Sequence, residues 1–435
     1  MARTLNTSLR SSKSHSPMRI VFSRRVWDNA WRSLLASPAL WAVGQLRWIR
    51  QEKLIELLVD RLEIVPQPPS GKTRPPLADW VVLRLVDEPG GMSAASLDNL
   101  WRQLRPQPYQ SLALIALDNS DRSRCSGQIR RQRRCWPLDE IRVVGSRPLR
   151  LLPTTAADSS PPLEDPQRWS RTEGAVGSAT LRTLQEATVT IVGAGRNGSA
   201  LAFQLASLPI ARLRIIDHDK LGIENLDAMP GLWRSDVGRT KVQALAERLQ
   251  QFRPDLGITL LDKPAHLAES HKLLRRRSEL IMTCVDHDTP RLAASLIASE
   301  TLTPHLDVGT SVQRREDGSL AITGDVRLLL PREGCCACVG GYHDFDETRY
   351  DLNTPPGALR RRPPPAWNAQ RAGSLISINA MTVGAAVQIW LDLLAGRITT
   401  SFWQRLAWTP DQGLVANAGP VDAAEDCRFC AHPEL

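Results

Sequence analysis

The sequence predicts an α/β protein, in which a parallel-sheet domain with a structural zinc site follows a smaller α/β domain. From Arg168 onward, short apolar strands alternate with glycine turns and helical stretches, the pattern that builds a parallel sheet flanked by helices. One strand runs directly into the glycine turn at 193–198 (GAGRNG). Two C-x-x-C pairs supply four potential metal ligands, which are Cys335, Cys338, Cys427 and Cys430.

The length of 435 residues and the 42% hydrophobic content are sufficient for two buried cores. We expect a disordered tail over residues 1–17 and a first domain over residues 18–153. The segment 154–167 has the Pro, Ser and acidic composition of a linker, and residues 168–435 form the second domain. Within that domain, the Pro and Arg segment Thr354–Trp367 should be an exposed loop.

The chain is basic, with 55 Lys and Arg against 46 Asp and Glu, a net charge of +9. Such an excess suits a nucleic acid, a membrane surface or an acidic partner, and by itself selects none of them. The apolar stretch Ile378–Gly396 is interrupted by Asn379, Gln388 and Asp392, which favours a buried helix over a membrane span. We expect a soluble cytoplasmic protein that does not enter a membrane, and a nucleic-acid role rests on the net charge alone.

The strand Ala187–Val192, the glycine turn and the apolar stretch Ala200–Leu208 form a strand, turn and helix. Glycines let the backbone approach phosphates, and the N–H groups at the helix start attract their charge. A second strand, Arg212–Ile216, ends in Asp217, where an acid can accept hydrogen bonds from ribose hydroxyls. This Rossmann-like pattern alone leaves open an NAD site or a turn without a ligand.

Further motifs follow in a fixed order. The chain continues through the D-x-D of Asp217 and Asp219, then Asn225-Leu226, then V-G-R-T-K ending in Lys241. Four other stretches accompany them, namely Arg168 to Arg171, Thr283 to Asp286, the two C-x-x-C pairs and Gly373 to Ala380. This series, over residues 168–433, resembles the ThiF/MoeB/HesA family of adenylating enzymes. A dehydrogenase has no reason to contain it.

The resemblance implies ATP-dependent adenylation of the C-terminal glycine carboxylate of a small ubiquitin-like or sulfur-carrier protein ending in Gly-Gly. Pyrophosphate would be released, and the acyl group would pass to a sulfur or amine nucleophile on a conjugating enzyme or sulfurtransferase. By resemblance, the ATP-binding residues are Gly193, Gly195, Gly198, Asp217, Asp219, Asn225 and Lys241. Lys241 and Arg171 would stabilise charge on the phosphates, Asp286 would hold Mg²⁺, and Arg171 would reach the partner subunit of a homodimer.

The two C-x-x-C pairs provide four thiolates, enough for a closed tetrahedral zinc site. The 88 residues between the pairs are far more than a zinc finger contains, so the metal should clamp the end of the chain onto a loop of its own domain. Buried thiols or a redox pair are the alternatives. Cys336 is spare and should pack beside the site.

The chain departs from the family pattern in two places. The segment Gly341–Ile378 lacks the cysteine that thioester-forming members carry, which favours direct transfer of the acyl group. Ala228 stands where the family has an arginine, and Arg234 or Arg239 could replace that cation. A catalytically decayed scaffold that binds a ubiquitin-like protein therefore remains an alternative, as does an NAD(P)-dependent oxidoreductase.

The first domain contains two β-rich stretches, Trp80–Leu85 and Leu112–Leu117. The run from Val86 to Asp98 faintly resembles the core of JAB/MPN metallopeptidases, but without its histidines. His15 is the only histidine before His218, so a degenerate, non-catalytic JAB/MPN-like domain and an unrelated recognition domain both remain open. Four tryptophans are expected in the core, with a partner-binding surface as the alternative: Trp27, Trp31, Trp41 and Trp48.

Overall fold

The computed structural model describes residues 17–50, 54–67, 79–87, 92–104, 110–119, 121, 123–131, 134–153, 166–314, 318–339, 375–421, 423–425, 427 and 430. Three predicted features lie wholly or mostly outside these ranges: the tail, the linker up to residue 165 and the loop Thr354–Trp367. Residues 88–91 of the JAB/MPN-like run also lie outside them. The described chain divides into two compact units. The first comprises Met1–Arg142 and Arg150–Ala157, and the second Val143–Leu149 and Asp158–Leu435.

The first unit is a strand-rich α/β structure. Its strands are β1 (Met18–Ser23), β2 (Trp41–Arg50), β3 (Ile55–Val65), β4 (Trp80–Val86), β5 (Ser111–Asp118), β6 (Arg124–Arg131), β7 (Arg134–Pro137), β8 (Glu140–Val144) and β9 (Leu149–Pro153). Strands β8 and β9 belong to this sheet, although their residues Val143, Val144 and Leu149 are grouped with the second unit. The helices of the first unit are α1 (Arg24–Ala36), which follows the N-cap Ser23, and α2 (Ala94–Leu104).

The sheet of the first unit closes on itself. The strand order is β5-β4-β2-β3-β1-β8-β9-β6-β7, and β5 also pairs with β6. Eight strands therefore form a ring, with β7 added as a hairpin on β6. Of the tryptophans expected in the core, Trp27 and Trp41 are buried at 4% and 6% exposure, whereas Trp31 and Trp48 are only partly buried.

The second unit combines an open sheet with seven α-helices among the described residues. Its strands are β10 (Thr188–Val192), β11 (Arg212–Ile216), β12 (Gly257–Leu261), β13 (Leu280–Thr283), β14 (His305–Arg314), β15 (Leu320–Leu329), β16 (Phe402–Thr409) and β17 (Gly413–Pro420). Its helices are α3 (Pro166–Val176), α4 (Ser178–Glu186), α5 (Arg196–Ala206), α6 (Lys241–Phe252), α7 (Ala268–Leu274), α8 (Asp288–Glu300) and α9 (Ile376–Leu394). Short 3₁₀ turns lie at Ile223–Asn225 and Arg234–Asp236.

The strand order of this sheet, β12-β11-β10-β13-β14-β15-β16-β17, creates a crevice at its centre. The strands from β12 to β14 are parallel and the last three are antiparallel. From β10 the chain proceeds outward to β12 and then returns to the other side of β10 as β13. Ligands of open α/β sheets bind at such a reversal, beyond the carboxyl ends of the strands.

The core of the second unit explains the apolar composition of its last helix. Helix α9 buries Val383, Ala386, Trp390 and Leu393 in the cluster formed by the central strands and α5. By length and mean hydropathy (1.3) it would also suffice to cross a membrane. The buried helix expected over Ile378–Gly396 is confirmed, but both of its ends lie two residues nearer the N-terminus.

Candidate functional site

The glycine turn leaves β10 in a conformation that side chains disfavour. Gly193 has φ 95°, and a Cβ added there would lie 2.5 Å from the carbonyl oxygen of Cys284. A Cβ at Gly198 would lie 1.9 Å from the carbonyl oxygen of Gly193. The first and last glycines are thus required for the turn to pack between β10 and the residues after β13.

Helix α5 begins within this turn. Its N-cap is Gly195, which has no side chain to satisfy the first N–H groups of the helix. Those donors and the helix dipole face the carboxyl ends of the central strands, where they favour an anion. The helix start thus has the geometry that the predicted phosphate site requires.

Asp217 ties the second strand to the glycine turn. One carboxylate oxygen accepts a 2.6 Å hydrogen bond from the backbone N–H of Ala194, and the other accepts one of 2.8 Å from Asp219. Burial raises the pKa of Asp217 although the charge of Lys241 and these hydrogen bonds oppose the rise. The carboxylate fixes the turn. It lies at the end of β11, where an acid that binds ribose hydroxyls is expected.

Lys241 lies beside the same strand end. It begins α6, whose N-cap Thr240 accepts a hydrogen bond from Gln243. Its Nζ atom is 2.8 Å from Asp219 Oδ2, and its side chain is 12% exposed. Burial acts to raise the pKa of Asp219, but the hydrogen bond and charge of Lys241 outweigh it and lower that pKa overall. A cation is thus held at the crevice.

Asn225 and Ala228 belong to the segment between β11 and α6. Asn225 Oδ1 accepts a hydrogen bond from the backbone of Gly222 at 3.0 Å, which shapes the 3₁₀ turn. Ala228 is 2% exposed, so its side chain is packed inside the protein. Of the two candidate replacement cations, Arg239 is paired with Asp236 and Glu247, and Arg234 is exposed.

Asp286 follows β13 and projects into solvent, with its side chain 85% exposed. The residues just before it lie against the glycine turn, since the backbone N–H of Cys284 donates to the carbonyl oxygen of Val192 at 2.8 Å. These residues therefore lie at the same crevice as Lys241. Arg171 is different: it is an exposed residue of α3, and no hydrogen bond or ion pair described for the second unit joins it to the glycine turn.

Two side-chain groups near the site were not predicted. The first joins the glycine turn to α9: Asn197 Nδ2 donates to Thr310 Oγ1 at 3.1 Å, and Thr310 donates to Asn379 Oδ1 at 2.9 Å. Asn379 is 1% exposed. The available signal was this amide in a mostly apolar helix, since a buried polar group requires a partner.

The second unpredicted group is a buried cluster around Asp307 on β14, a residue with no exposed side-chain surface. Its carboxylate accepts hydrogen bonds from Arg291 Nε (3.0 Å), Arg327 Nη1 (2.7 Å) and Thr283 Oγ1 (2.5 Å). Arg291 also donates to the Val285 carbonyl at 2.7 Å. The cluster thus supports the backbone immediately before Asp286.

The four cysteines of the two C-x-x-C pairs converge. Sulfur–sulfur distances are 3.9 Å for Cys335 and Cys338, 3.7 Å for Cys335 and Cys427, and 3.5 Å for Cys338 and Cys430. Tetrahedral zinc with Zn–S bonds of about 2.3 Å places its sulfurs about 3.8 Å apart, so the geometry fits zinc. A hydrogen bond from Cys430 lowers the pKa of Cys335 to about 6. Cys336 is buried beside the cluster, as expected.

Comparison with protein families gives one match, to a family described as "ThiF family", over residues 170–412. That match begins after the first unit. The JAB/MPN-like interpretation of residues 18–153 receives no support from it.

Among curated proteins, the chain is similar to ubiquitin-like modifier-activating enzyme 5. The Gallus gallus protein is 29% identical over 163 residues, which cover 35% of this chain and 39% of that protein. The Arabidopsis thaliana protein is 28% identical over 172 residues, covering 36% and 38%. The chain thus spans about two fifths of these relatives. A crystal structure of E. coli MccB with ATP aligns with TM-score 0.45 and 15% identity, covering 61% of this chain and 75% of that one.

Proposed function

The chain belongs to the ThiF family, and we propose that it uses ATP to adenylate the C-terminal glycine carboxylate of a small ubiquitin-like or sulfur-carrier protein. The observation that carries this proposal is the joining of Asp217, Asp219 and Lys241 beside the glycine turn. Beside the anion-binding start of α5, Asp217 would accept hydrogen bonds from the ribose hydroxyls, and Lys241 would bind the phosphates. They meet at the central crevice of the sheet.

In the proposed reaction, a carboxylate oxygen of the carrier attacks the α-phosphorus of ATP. The bond from that phosphorus to the bridging oxygen of the β-phosphate breaks, and pyrophosphate leaves with the bonding electrons. The products are pyrophosphate and the acyl-adenylate anhydride. Lys241 would stabilise the charge that builds on the phosphate oxygens, and the N–H groups of α5 would hold the phosphates without reorganising.

Asp286 is the residue that would hold Mg²⁺. Its carboxylate is exposed at the crevice, and Mg²⁺ in nucleotide sites takes one or two carboxylates together with phosphate oxygens. The ion would supply charge neutralisation for the triphosphate. Asp219 already accepts the hydrogen bond of Lys241, so Asp286 is the better placed of the two carboxylates.

We propose direct transfer of the acyl group to a sulfur or amine nucleophile on a second protein. Outside the four-cysteine cluster, the second unit contains Cys284 and Cys336, and burial raises the pKa of both thiols far above the ordinary value. A buried neutral thiol is a poor nucleophile. Cys125 is likewise buried, with its pKa raised to about 12, and Cys135 is exposed but belongs to β7 of the first unit.

The proposal is tested by ATP–pyrophosphate exchange with candidate proteins ending in Gly-Gly. We expect exchange that requires the carrier and falls at least about 100-fold in Lys241→Ala and Asp286→Ala, because each removes charge stabilisation present in the transition state. Lys272→Ala, which changes an exposed lysine of α7, is the matched control and should retain exchange. Equal exchange in Lys241→Ala and Lys272→Ala would contradict the assignment.

A second candidate function is a scaffold that binds nucleotide and carrier without adenylation. The buried Ala228 favours it, because the segment between β11 and α6 has no cation at the position where the family has an arginine. Measurable ATP binding without exchange for any carrier would support this alternative. Nicotinamide binding without ATP binding would instead favour an oxidoreductase.

We also propose that the four-cysteine cluster holds a structural zinc ion. Metal analysis of the purified protein should give one zinc per chain, lost in Cys427→Ser and retained in Cys336→Ser. The second variant changes a buried neighbouring thiol that is not among the four converging sulfurs. Zinc retained in Cys427→Ser would contradict the site.

A further inference from the structure

The glycine turn carries an arginine at the point where the phosphates of a nucleotide would lie. Arg196 is the first residue of α5 and follows the N-cap Gly195 directly. Its backbone N–H therefore belongs to the group of donors that face an anion at this helix start. Its side chain is 28% exposed, so the guanidinium is neither deeply buried nor fully surrounded by solvent.

The guanidinium reaches the segment that contains Ala228. Arg196 Nη2 donates to the carbonyl oxygen of Glu224 at 3.0 Å and lies 3.1 Å from Asp227 Oδ1. The Asp227 side chain is 64% exposed. An ion pair with so exposed a carboxylate is strongly screened by water and contributes little. Exchange of this one ion pair for a contact with a more highly charged group therefore costs little.

The crevice has too few cations to balance a bound triphosphate. Three carboxylates, those of Asp217, Asp219 and Asp286, lie at the ends of β11 and β13, while Lys241 is already paired with Asp219. A triphosphate would add several negative charges to this group. A planar guanidinium is well suited to phosphate oxygens because it donates two parallel hydrogen bonds.

We propose that Arg196 is a catalytic residue of the adenylation site, and that on ATP binding its guanidinium leaves Asp227 and binds the triphosphate. This inference rests on the proposed function. Arg196 would thus supply the positive charge that Ala228 lacks. The backbone of the same residue contributes to the helix start, so one residue would offer both an N–H and a charged side chain to the phosphates.

A structural role predicts different behaviour. If Arg196 only fastened the 3₁₀ turn to α5, loss of either partner would disturb the turn and the nucleoside contacts of Asp217. Removal of the Asp227 carboxylate distinguishes the two roles, because it weakens a fastening contact but releases the guanidinium for phosphate.

The test measures binding of ATP and of adenosine, both with Mg²⁺, by isothermal titration calorimetry of the full-length protein. For Arg196→Ala we expect ATP binding to weaken at least tenfold and adenosine binding to change less than twofold, with Arg196→Lys intermediate. Asp227→Asn should bind ATP as tightly as the wild type or more tightly. Arg196→Gln serves if the alanine variant does not fold, as judged by circular dichroism.

Unchanged ATP binding in Arg196→Ala, with normal binding in the wild type, would overturn the inference and leave the proposed function intact. Parallel weakening of ATP and adenosine in Arg196→Ala and Asp227→Asn would also overturn it, in favour of a fastening role. Failure of the wild type to bind ATP would remove the proposed function and this inference together.

Discussion

Two groups of carboxylates and cations lie on either side of β13, and they differ in their access to water. At the crevice, Lys241 pairs with Asp219, whose side chain is 53% exposed. On the other side of β13, Asp307 of β14 pairs with Arg291 and Arg327, and its side chain has no exposed surface. The first group can exchange partners with a ligand, whereas the second is fixed by the cost of leaving any member unpaired. Similar chemistry thus suits the proposed binding of a ligand in one place and supports the fold in the other.

Removal of the interior carboxylate should have the largest effect on stability. Asp307→Ala leaves two guanidiniums without their shared partner, and we expect the free energy of unfolding to fall by about 3–5 kcal/mol. Urea denaturation measures the change. The matched control is Asp325→Ala on β15, whose partner Arg405 is 52% exposed, and it should cost less than about 1 kcal/mol. Equal losses in the two variants would contradict the distinction.

The buried cluster around Asp307 should also make stability depend on pH. Burial lowers the pKa of His305 to about 4 although the charge of Asp307 opposes it, while Arg291 and Arg327 also lower it. The ordinary value is 6.5, so between pH 6.5 and 4 the unfolded chain binds a proton that the folded chain does not. The contribution of His305 to the free energy of unfolding is therefore fully present above pH 6.5. It decreases as the pH drops towards 4, by on the order of 3 kcal/mol.

His305→Gln should remove this contribution and flatten the profile between pH 4 and 6.5. Glutamine can still hydrogen-bond to Thr283, which lies 3.0 Å from His305 Nε2. Denaturant midpoints measured across this range provide the check. A profile as steep as that of the wild type would assign the pH dependence to other groups.

The smallest effect on stability should come from the crevice. Lys241→Ala breaks a half-exposed pair, and we expect it to change the free energy of unfolding by less than about 1 kcal/mol. The same substitution is expected to abolish most pyrophosphate exchange. Urea denaturation beside exchange assays measures both effects, and a large loss of stability would place Lys241 with the supporting residues instead.

The parts of the fold that sequence predicts are those encoded locally. The sequence predicts the strand Arg212–Ile216 with the bounds that the structure has, and short patterns locate the glycine turn and the start of α6. The parallel sheet then brings Asp217 and Asp286 to one edge, because the carboxyl ends of parallel strands meet there. The convergence of four cysteines was likewise deducible from spacing and chemistry.

The remaining contacts depend on partners that are distant in sequence. Thr310 is 113 residues from Asn197 and 69 from Asn379, and no local pattern links them. The closure of the first unit requires β5 to pair with β6 and β6 with β9, which follows from tertiary packing. Arg196 was visible in the glycine turn, but its approach to Asp227 depends on how the intervening segment folds.

The cysteine cluster has a consequence for the topology of the chain. The 88 residues between Cys338 and Cys427 include α9, β16 and β17, so a metal in the cluster would close them into a ring. Closing a flexible loop of this length before folding is entropically costly, and a closed ring has fewer unfolded states than an open chain. The antiparallel end of the sheet could then no longer separate by peeling from its terminus. Amide hydrogen exchange in β16 and β17 would accordingly quicken on chelation, while exchange in β10 would stay slow.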